Sequence, residues 1–280
     1  MSERIAFQGE LGANSHEACR TYFPDYEPYP CATFEDAFDA VKSGVCALGM
    51  IPVENSLAGR VPDVHHLLPG SGLKIVGECF KPIHFQLMAN EGVALADVET
   101  VISMPFAAGQ CRKLIRQHNL KIEPTGDTAA SAKALAEAPH PKKAAIAPAL
   151  AAEIYGLKII ARDIEDRHDN TTRFLVMTAN PTPAPPPEGL GCVTSFVFRV
   201  RNVPAALYKA LGGFATNGVN LTKLESYMED GAWAATMFYA EVNGRPDDRP
   251  LKLAFEEMAF FCDHFEVLGV YPADPFRERL

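Results

Sequence analysis

The sequence predicts an α/β protein of two domains, a larger one of alternating strands and helices and a smaller one of βαββαβ order. Three observations support this. Strand-like and helix-like segments alternate up to residue 179, a proline-rich stretch follows, and six further segments come after it. At 280 residues the chain is also long for one hydrophobic core. We therefore expect domains at 1–179 and 192–280, joined by a linker at 180–191.

Segments of the first domain are assigned from hydrophobic periodicity and capping residues. "RIAFQG" is predicted to be a strand, and "NSHEACRTYF" the helix that follows it. Thr33 should cap a helix over "TFEDAFDAVKSG", and Pro105 should open one over "PFAAGQCRKLIRQHN". "CALGMIPVEN" and "TTRFLVM" are predicted strands, the second buried on both faces. This alternation indicates a mostly parallel sheet that binds ligands beyond the carboxyl ends of its strands.

The boundary is marked by "ANPTPAPPPEGLG", which holds five prolines and two glycines and can continue neither a helix nor a central strand. After it, strands and helices follow in the order βαββαβ, the ferredoxin-like arrangement. The segments are "CVTSFVFRV", "VPAALYKALGGFATNG", "NLTKLESYM", "WAATMFYAEV", "PLKLAFEEMAFFC" and "HFEVLGVYP".

Composition excludes several classes of protein. The formal charge is −9 and both domains are acidic, so a nucleic-acid partner is not expected. No uncharged run approaches the ~18 residues of a membrane span, and the N-terminus has no apolar h-region. The seven cysteines contain no C-x-x-C and indicate free thiols in a reducing cytoplasm. Without H-E-x-x-H or a tight Cys/His cluster, we expect neither a metal nor a cofactor.

Small polar residues follow two of the predicted strands. Glu54, Asn55 and Ser56 end the strand in "PVENSLAGRV", while Ser103 ends another and Gln110 lies in the helix after it. Such residues are suited either to capping a helix or to binding a ligand at the sheet edge. Read alone, Ser103 is an ordinary N-cap.

A further polar group opens the buried strand in "NTTRF". An arginine at the start of such a strand requires an anionic partner, because an unpaired buried charge is costly. The alternative is a sheet edge with a surface arginine. In a dry site, the hydroxyl of Thr171 or Thr172 is able to donate to a leaving oxygen that gains charge.

These motifs together resemble one family. "NTTRF" resembles the Thr-Arg-Phe signature of prephenate dehydratases. "IPVENSLAGRV", "SMPFAAGQC", "DTAASA" and "AAIAPALAAEIYGL" resemble the other blocks of that family in its order. The second domain resembles an ACT domain, with "NGVNLTKLES" close to its regulatory motif. The resemblance covers nearly the whole chain. It implies two α/β lobes like those of a type II periplasmic binding protein, with the site in the cleft between them.

The resemblance also implies the reaction. Members of the family convert prephenate to phenylpyruvate, with loss of carbon dioxide and water, in phenylalanine biosynthesis and without a cofactor. It assigns Thr172 as donor to the departing hydroxyl, because Thr171 should face the other side of the strand. The remaining site residues are catalytic Asn55, Ser103 and Gln110 and substrate-binding Arg173, Phe174, Glu54 and Ser56, with Arg173 expected to pair with a substrate carboxylate.

For the second domain, the resemblance implies feedback inhibition by phenylalanine and a homodimer or tetramer formed through the ACT domains. The effector residues are expected at two places in the motif: Ala205, Ala206 and Leu207, and Asn220, Leu221 and Thr222. Ala205 stands where the family usually has glycine, and Tyr227–Met228 replace its Arg-Pro. Because alanine is compatible with helical geometry, we expect the turn at Ala205 to form.

Two other functions stay open. Arogenate dehydratase acts on a substrate in which an amine replaces the ketone, and the sequence does not separate the two substrates. A non-catalytic effector-binding protein would share the fold, but it would give Thr172 no task. An ACT-bearing NAD dehydrogenase is disfavoured, because the sequence has no dinucleotide fingerprint.

Overall fold

The computed structural model describes residues 3–181, 191–228 and 237–279. The predicted linker at 180–191 lies mostly outside these residues, as does the start of the predicted strand "WAATMFYAEV", so the domain boundary stays a prediction. Two compact units are present. Unit 1 comprises residues 1–64 and 80–174, and unit 2 comprises residues 65–79 and 175–280.

Strands and helices alternate up to residue 178, as predicted. In chain order they are β1 (Arg4–Gln8), α1 (Asn14–Tyr22), β2 (Glu27–Cys31), α2 (Phe34–Lys42), β3 (Leu48–Asn55), β4 (Gly59–Arg60), α3 (Pro62–Leu67), β5 (Lys74–Pro82), β6 (Gln86–Ala89), β7 (Thr100–Ser103), α4 (Pro105–Gln110), α5 (Arg112–Gln117), β8 (Lys121–Pro124), α6 (Thr128–Glu137), β9 (Lys143–Ala147), α7 (Ala149–Tyr155), β10 (Lys158–Ala161) and β11 (Thr171–Thr178). A 3₁₀ helix at Leu95–Asp97 precedes β7.

Unit 1 contains two sheets. In the first, β1 lies parallel between β2 and β3, and β11 is hydrogen-bonded to the other side of β3. The second sheet has the order β10-β6-β9-β7-β8. Strands β7, β8 and β9 are parallel to one another, and β6 is antiparallel to both of its neighbours, β9 and β10. The prediction of a mostly parallel α/β sheet is confirmed, and it is divided into two lobes.

Local signals in the sequence account for several of these elements. The Thr33 hydroxyl accepts the Asp36 N–H at 3.1 Å, and the Asp36 carboxylate accepts the Thr33 N–H in return, so α2 opens on a capping box. Pro105 occupies the first position of α4, as predicted. The expectation of one helix through residue 119 is wrong, because α4 ends at Gln110. The Asp166 carboxylate then accepts the N–H groups of Arg112 and Lys113 and caps α5.

The last part of the chain has the predicted βαββαβ order. Its elements are β12 (Cys192–Val200), α8 (Ala206–Thr216), β13 (Leu221–Tyr227), β14 (Met237–Asn243), α9 (Arg249–Ala259) and β15 (Cys262–Pro272), with a 3₁₀ helix at Pro275–Arg279. The antiparallel order β13-β14-β12-β15 is the ferredoxin-like one. Within unit 2, β5 adds a parallel strand beside β15.

The turn at Ala205 forms as expected, since α8 begins at Ala206, but its backbone geometry differs from the helical geometry on which that expectation rested. Ala205, at the N-cap of α8, has φ 61° and ψ 18°, which is left-handed rather than right-handed helical backbone. A side chain with a β-carbon crowds the following carbonyl in this conformation, and the conformation costs roughly 1–2 kcal/mol. The methyl group of Ala205 is therefore a source of strain at a position where glycine would fit without it.

Candidate active site

The site residues of unit 1 come from three elements. Asn55 ends β3, Thr172 is the second residue of β11, and Gln110 is the last residue of α4. The helix α4 packs beside the second sheet through Ala107 and Ala108, which share a core with strand β9. The candidate site is therefore formed where the first sheet meets the lobe of the second.

A chain of hydrogen bonds joins these side chains. The Asn55 Nδ2 donates to Thr172 Oγ1 at 2.9 Å and to Asn170 Oδ1 at 2.7 Å. In turn, the Asn170 Nδ2 donates to Gln110 Oε1. The four side chains Gln110, Asn170, Asn55 and Thr172 thus form one network, which we call the amide–threonine network.

The direction of every bond in the network is set by the backbone. Asn55 Oδ1 accepts the N–H groups of Leu57 and Ala58, each at 2.9 Å, so the Asn55 amide nitrogen has to face Thr172 and Asn170. Because Asn170 then accepts through its oxygen, its nitrogen has to donate to Gln110. The network ends in two groups that are able to donate further: the Thr172 hydroxyl and the Gln110 Nε2.

The Gln110 end of the network carries an unsatisfied donor. Its Nε2 is buried and has no hydrogen-bond partner among the residues the structure describes. A buried donor without a partner costs about 1–3 kcal/mol. Gln110 also lines a pocket of about 510 Å³ together with Leu57, Phe106, Arg112 and Arg167.

Arg173 has a different environment from Thr172. It is 2% exposed, its Nη1 donates to Glu54 Oε1 at 2.9 Å, and its guanidinium lies over the Phe80 ring at 5.7 Å. Successive residues of a strand point to opposite faces. The contacts agree, since Thr172 meets Asn55 whereas Arg173 meets Glu54, the residue before it. The structure therefore pairs the buried arginine with a carboxylate of the chain itself, and its role as a substrate ligand stays a prediction.

The other predicted site residues are not part of the network. Ser103 is fully buried and its hydroxyl donates to the Met104 carbonyl at 3.0 Å, while Met104 and not Ser103 is the N-cap of α4. The Ser56 hydroxyl donates to the Asp169 carbonyl and accepts the Thr171 N–H, so it joins the end of β3 to the start of β11. Phe174 is 1% exposed.

Asn170 is the member of the network that the sequence reasoning missed. It is 1% exposed and lies at the centre of the network, although it stands in the same short motif, "DNTTRF", that drew attention to Thr172. An asparagine directly before a buried strand was the available signal, because a buried amide needs several partners.

The Cys111 thiol, next to Gln110 in the sequence, is held in its neutral form by its surroundings. Burial, followed by the charges of Glu165 and Asp166, raises the pKa of the Cys111 thiol, next to Gln110, far above its usual range. Elsewhere in the chain, burial raises the pKa of Cys31 and of Cys262 to about 11. All seven cysteines are free and all but Cys192 are buried, as predicted. The Cys111 thiol is therefore not a source of thiolate beside the network.

Similarity to known proteins agrees with this geometry. The sequence model of the prephenate dehydratase family matches residues 5–182. A bifunctional N-acyl-homoserine lactone acylase/prephenate dehydratase of Komagataeibacter europaeus is 47% identical over 98% of both chains. Arogenate dehydratase 2 of Petunia hybrida is 35% identical over 97% of this chain and 72% of its own length.

Among solved structures, prephenate dehydratase of Arthrobacter aurescens in complex with L-Phe is 30% identical. It superimposes with a TM-score of 0.87 over 97% of this chain and 92% of that one. The chain is thus an α/β enzyme with a ferredoxin-like unit, and it belongs to the prephenate dehydratase family of lyases. Within the described residues, no helix is both long enough and apolar enough to cross a membrane.

Proposed function

We propose that this enzyme converts prephenate to phenylpyruvate, with loss of carbon dioxide and hydroxide, at the amide–threonine network. The observation that carries the proposal is the fixed direction of the network, which ends in two donors, Thr172 Oγ1–H and Gln110 Nε2–H. Loss of the two groups makes the ring aromatic, so the substrate supplies the driving force. The enzyme has to hold the dianion and stabilise the departing oxygen.

In the proposed mechanism, the carboxylate attached to the ring leaves as carbon dioxide and its bonding electrons enter the ring. These electrons expel the hydroxyl at the opposite ring carbon as hydroxide, so the two charges of the dianion end on hydroxide and on the phenylpyruvate monoanion. Thr172 donates to that oxygen as its negative charge grows, and Asn55 holds the Thr172 oxygen from behind. Donors that are already oriented lose nothing to reorganisation when the charge develops.

The substrate also has to be bound as a dianion. Arg112 and Arg167 lie on the wall of the pocket that Gln110 lines, and we propose them as ligands for its carboxylates beside the predicted ligand Arg173. Ser103, Ser56 and Glu54 are proposed to shape the site, since each is tied to the backbone or to Arg173. Phe174 is proposed to pack beneath it.

The test is direct. Purified protein is incubated with prephenate, or with arogenate, and the formation of phenylpyruvate or phenylalanine is followed without added cofactor. Turnover of prephenate supports the proposal. Turnover of arogenate alone would replace it with the activity named for the Petunia relative, and turnover of neither would refute it.

A second candidate reaction is hydrolysis of N-acyl-homoserine lactones. It is favoured by one observation, the 47% identity over the full length to a relative whose name gives both activities. Release of free homoserine lactone, measured by mass spectrometry, would support it. The Thr172→Val variant then shows whether both reactions use the same site.

For unit 2, we propose an ACT regulatory domain that binds phenylalanine and pairs with its copy in a homodimer or tetramer. The first turn of α8 has no side-chain cap, and the Ala206 N–H donates to the Val203 carbonyl at 3.1 Å. We propose that the next N–H, that of Leu207, binds the carboxylate of phenylalanine beside Ala205 and Ala206, and that Asn220, Leu221 and Thr222 complete the site. Strand β13 ends the sheet order of the described strands, which suits pairing of edges. The free thiols suit a cytoplasmic setting.

Calorimetry tests the effector. We expect heat on titration with L-phenylalanine, together with inhibition of turnover. No heat at millimolar phenylalanine and unchanged activity would leave the unit as an assembly element only.

A further inference from the structure

A cluster of metal-binding side chains lies outside the amide–threonine network. His84, Asp163 and Glu165 each offer one donor atom, and these atoms lie within 4.8 Å of one another. The two segments that carry them connect the second sheet of unit 1 to the rest of the chain, His84 just before β6 and Asp163 and Glu165 after β10. Nothing in the proposed reaction uses them.

The Glu165 carboxylate is buried and is fixed by hydrogen bonds at both of its oxygens. Its side chain is completely buried, its Oε2 accepts the Phe85 N–H at 3.0 Å, and its Oε1 lies 2.8 Å from His84 Nδ1. A second imidazole, that of His168, approaches the same oxygen at 3.4 Å. Glu165 is thus a buried carboxylate with two imidazoles near one of its oxygens.

Asp163 is positioned at the cost of backbone strain. Its φ is 47°, in the left-handed region that residues other than glycine seldom occupy. The Gln86 amide holds it there with two bonds: Nε2 donates to Asp163 Oδ1 at 2.9 Å, and Oε1 accepts the Asp163 N–H at 3.1 Å. Strain that the surroundings enforce is typical of functional positions. A hydrogen bond to a carboxylate from behind also orients metal ligands.

From this geometry we propose that His84, Asp163 and Glu165 bind a divalent first-row metal ion such as Zn²⁺, with His168 as a further ligand. Imidazole nitrogen and carboxylate oxygen suit this ion at about 2.0–2.2 Å. Because His84 and Asp163 are exposed, an ion from solvent can reach them beside the fixed Glu165 carboxylate. With its proton on Nε2, the His84 imidazole presents Nδ1 to the metal in place of the present hydrogen bond. The bound ion would join the two segments that connect the second sheet.

Calorimetric titration of the full chain with Zn²⁺, and Co²⁺ absorption as a coordination-sensitive readout, test the proposal. We expect one saturable site that His84→Ala and Asp163→Asn each weaken at least about tenfold, the scale even of an outer-shell loss. Both residues are exposed and Asn tolerates left-handed backbone, so both variants should fold. His140→Ala, an exposed histidine elsewhere, should change nothing.

Absence of saturable binding, or equal binding by the wild type, His84→Ala and Asp163→Asn, would overturn the proposal. In the second case the ion would be held elsewhere, for example at Cys192, the thiol that is not buried. The experiment measures binding and not turnover, so it stands or falls separately from the proposed reaction.

Discussion

Replacing Thr172 by valine removes one hydroxyl and keeps the shape of the side chain. In the structure this hydroxyl accepts from Asn55 Nδ2 at 2.9 Å, and its own proton is left for the substrate. Thr171→Val is the matched control, because it makes the same change one residue earlier, on the opposite face of β11. Both residues are half-buried.

The Thr172→Val change is expected to lower both kcat and the free energy of unfolding, and the two effects have to be separated. Loss of one transition-state donor lowers kcat by roughly 10²–10³, or about 2.7–4 kcal/mol. Loss of the acceptor for Asn55, which keeps its bond to Asn170, lowers the free energy of unfolding by roughly 1 kcal/mol, or about 2–4 °C in melting temperature for a domain of this size. The stability cost is too small to unfold the enzyme at assay temperature, so it does not mimic the catalytic one.

Initial rates over a range of prephenate concentrations, with thermal melts of the same samples, measure both. We expect Thr172→Val to lower kcat about 10²-fold or more with little change in KM, and Thr171→Val to leave both within roughly twofold. A Thr172→Val enzyme that keeps its kcat would refute the assignment of the donor. Equal damage by Thr171→Val would show that the strand faces are assigned wrongly.

Three further changes test other parts of the structure. Gln110→Glu replaces the Nε2 donor by an anionic oxygen facing a dianion, and should lower kcat/KM by roughly 10² or more; unchanged rates would contradict it. Ala205→Gly should relieve left-handed strain and raise the free energy of unfolding by roughly 1 kcal/mol in urea titrations, whereas Ala206→Gly, inside α8, should lower it by about 0.5–1 kcal/mol. Glu54→Gln removes the carboxylate that accepts from Arg173 Nη1 at 2.9 Å and should lower the free energy of unfolding by roughly 1–3 kcal/mol. An unchanged unfolding midpoint would show that this ion pair does not stabilise the fold.

The sequence by itself predicted most of the secondary structure and several helix starts. The run "RFLVM" is buried at all five positions, because a strand covered on both faces needs apolar residues throughout. Thr33 and Pro105 placed the starts of their helices, since caps depend on residues within one turn. The order of motifs also predicted the family. In contrast, β2 escaped notice because Pro28 and Pro30 lie within it, and prolines are tolerated there only because β2 is an edge strand.

Only the tertiary structure decides which side chains become hydrogen-bond or ion-pair partners. Sequence periodicity indicates which residues are buried, but a hydrogen bond between Asn55 and Asn170 joins residues 115 positions apart and needs both backbones in place. The same is true of the buried arginine: the sequence required an anion for Arg173, and the fold supplies Glu54 from the neighbouring strand. Direction is likewise a three-dimensional property, because the orientation of the Asn55 amide follows from backbone N–H groups whose positions depend on the turn after β3.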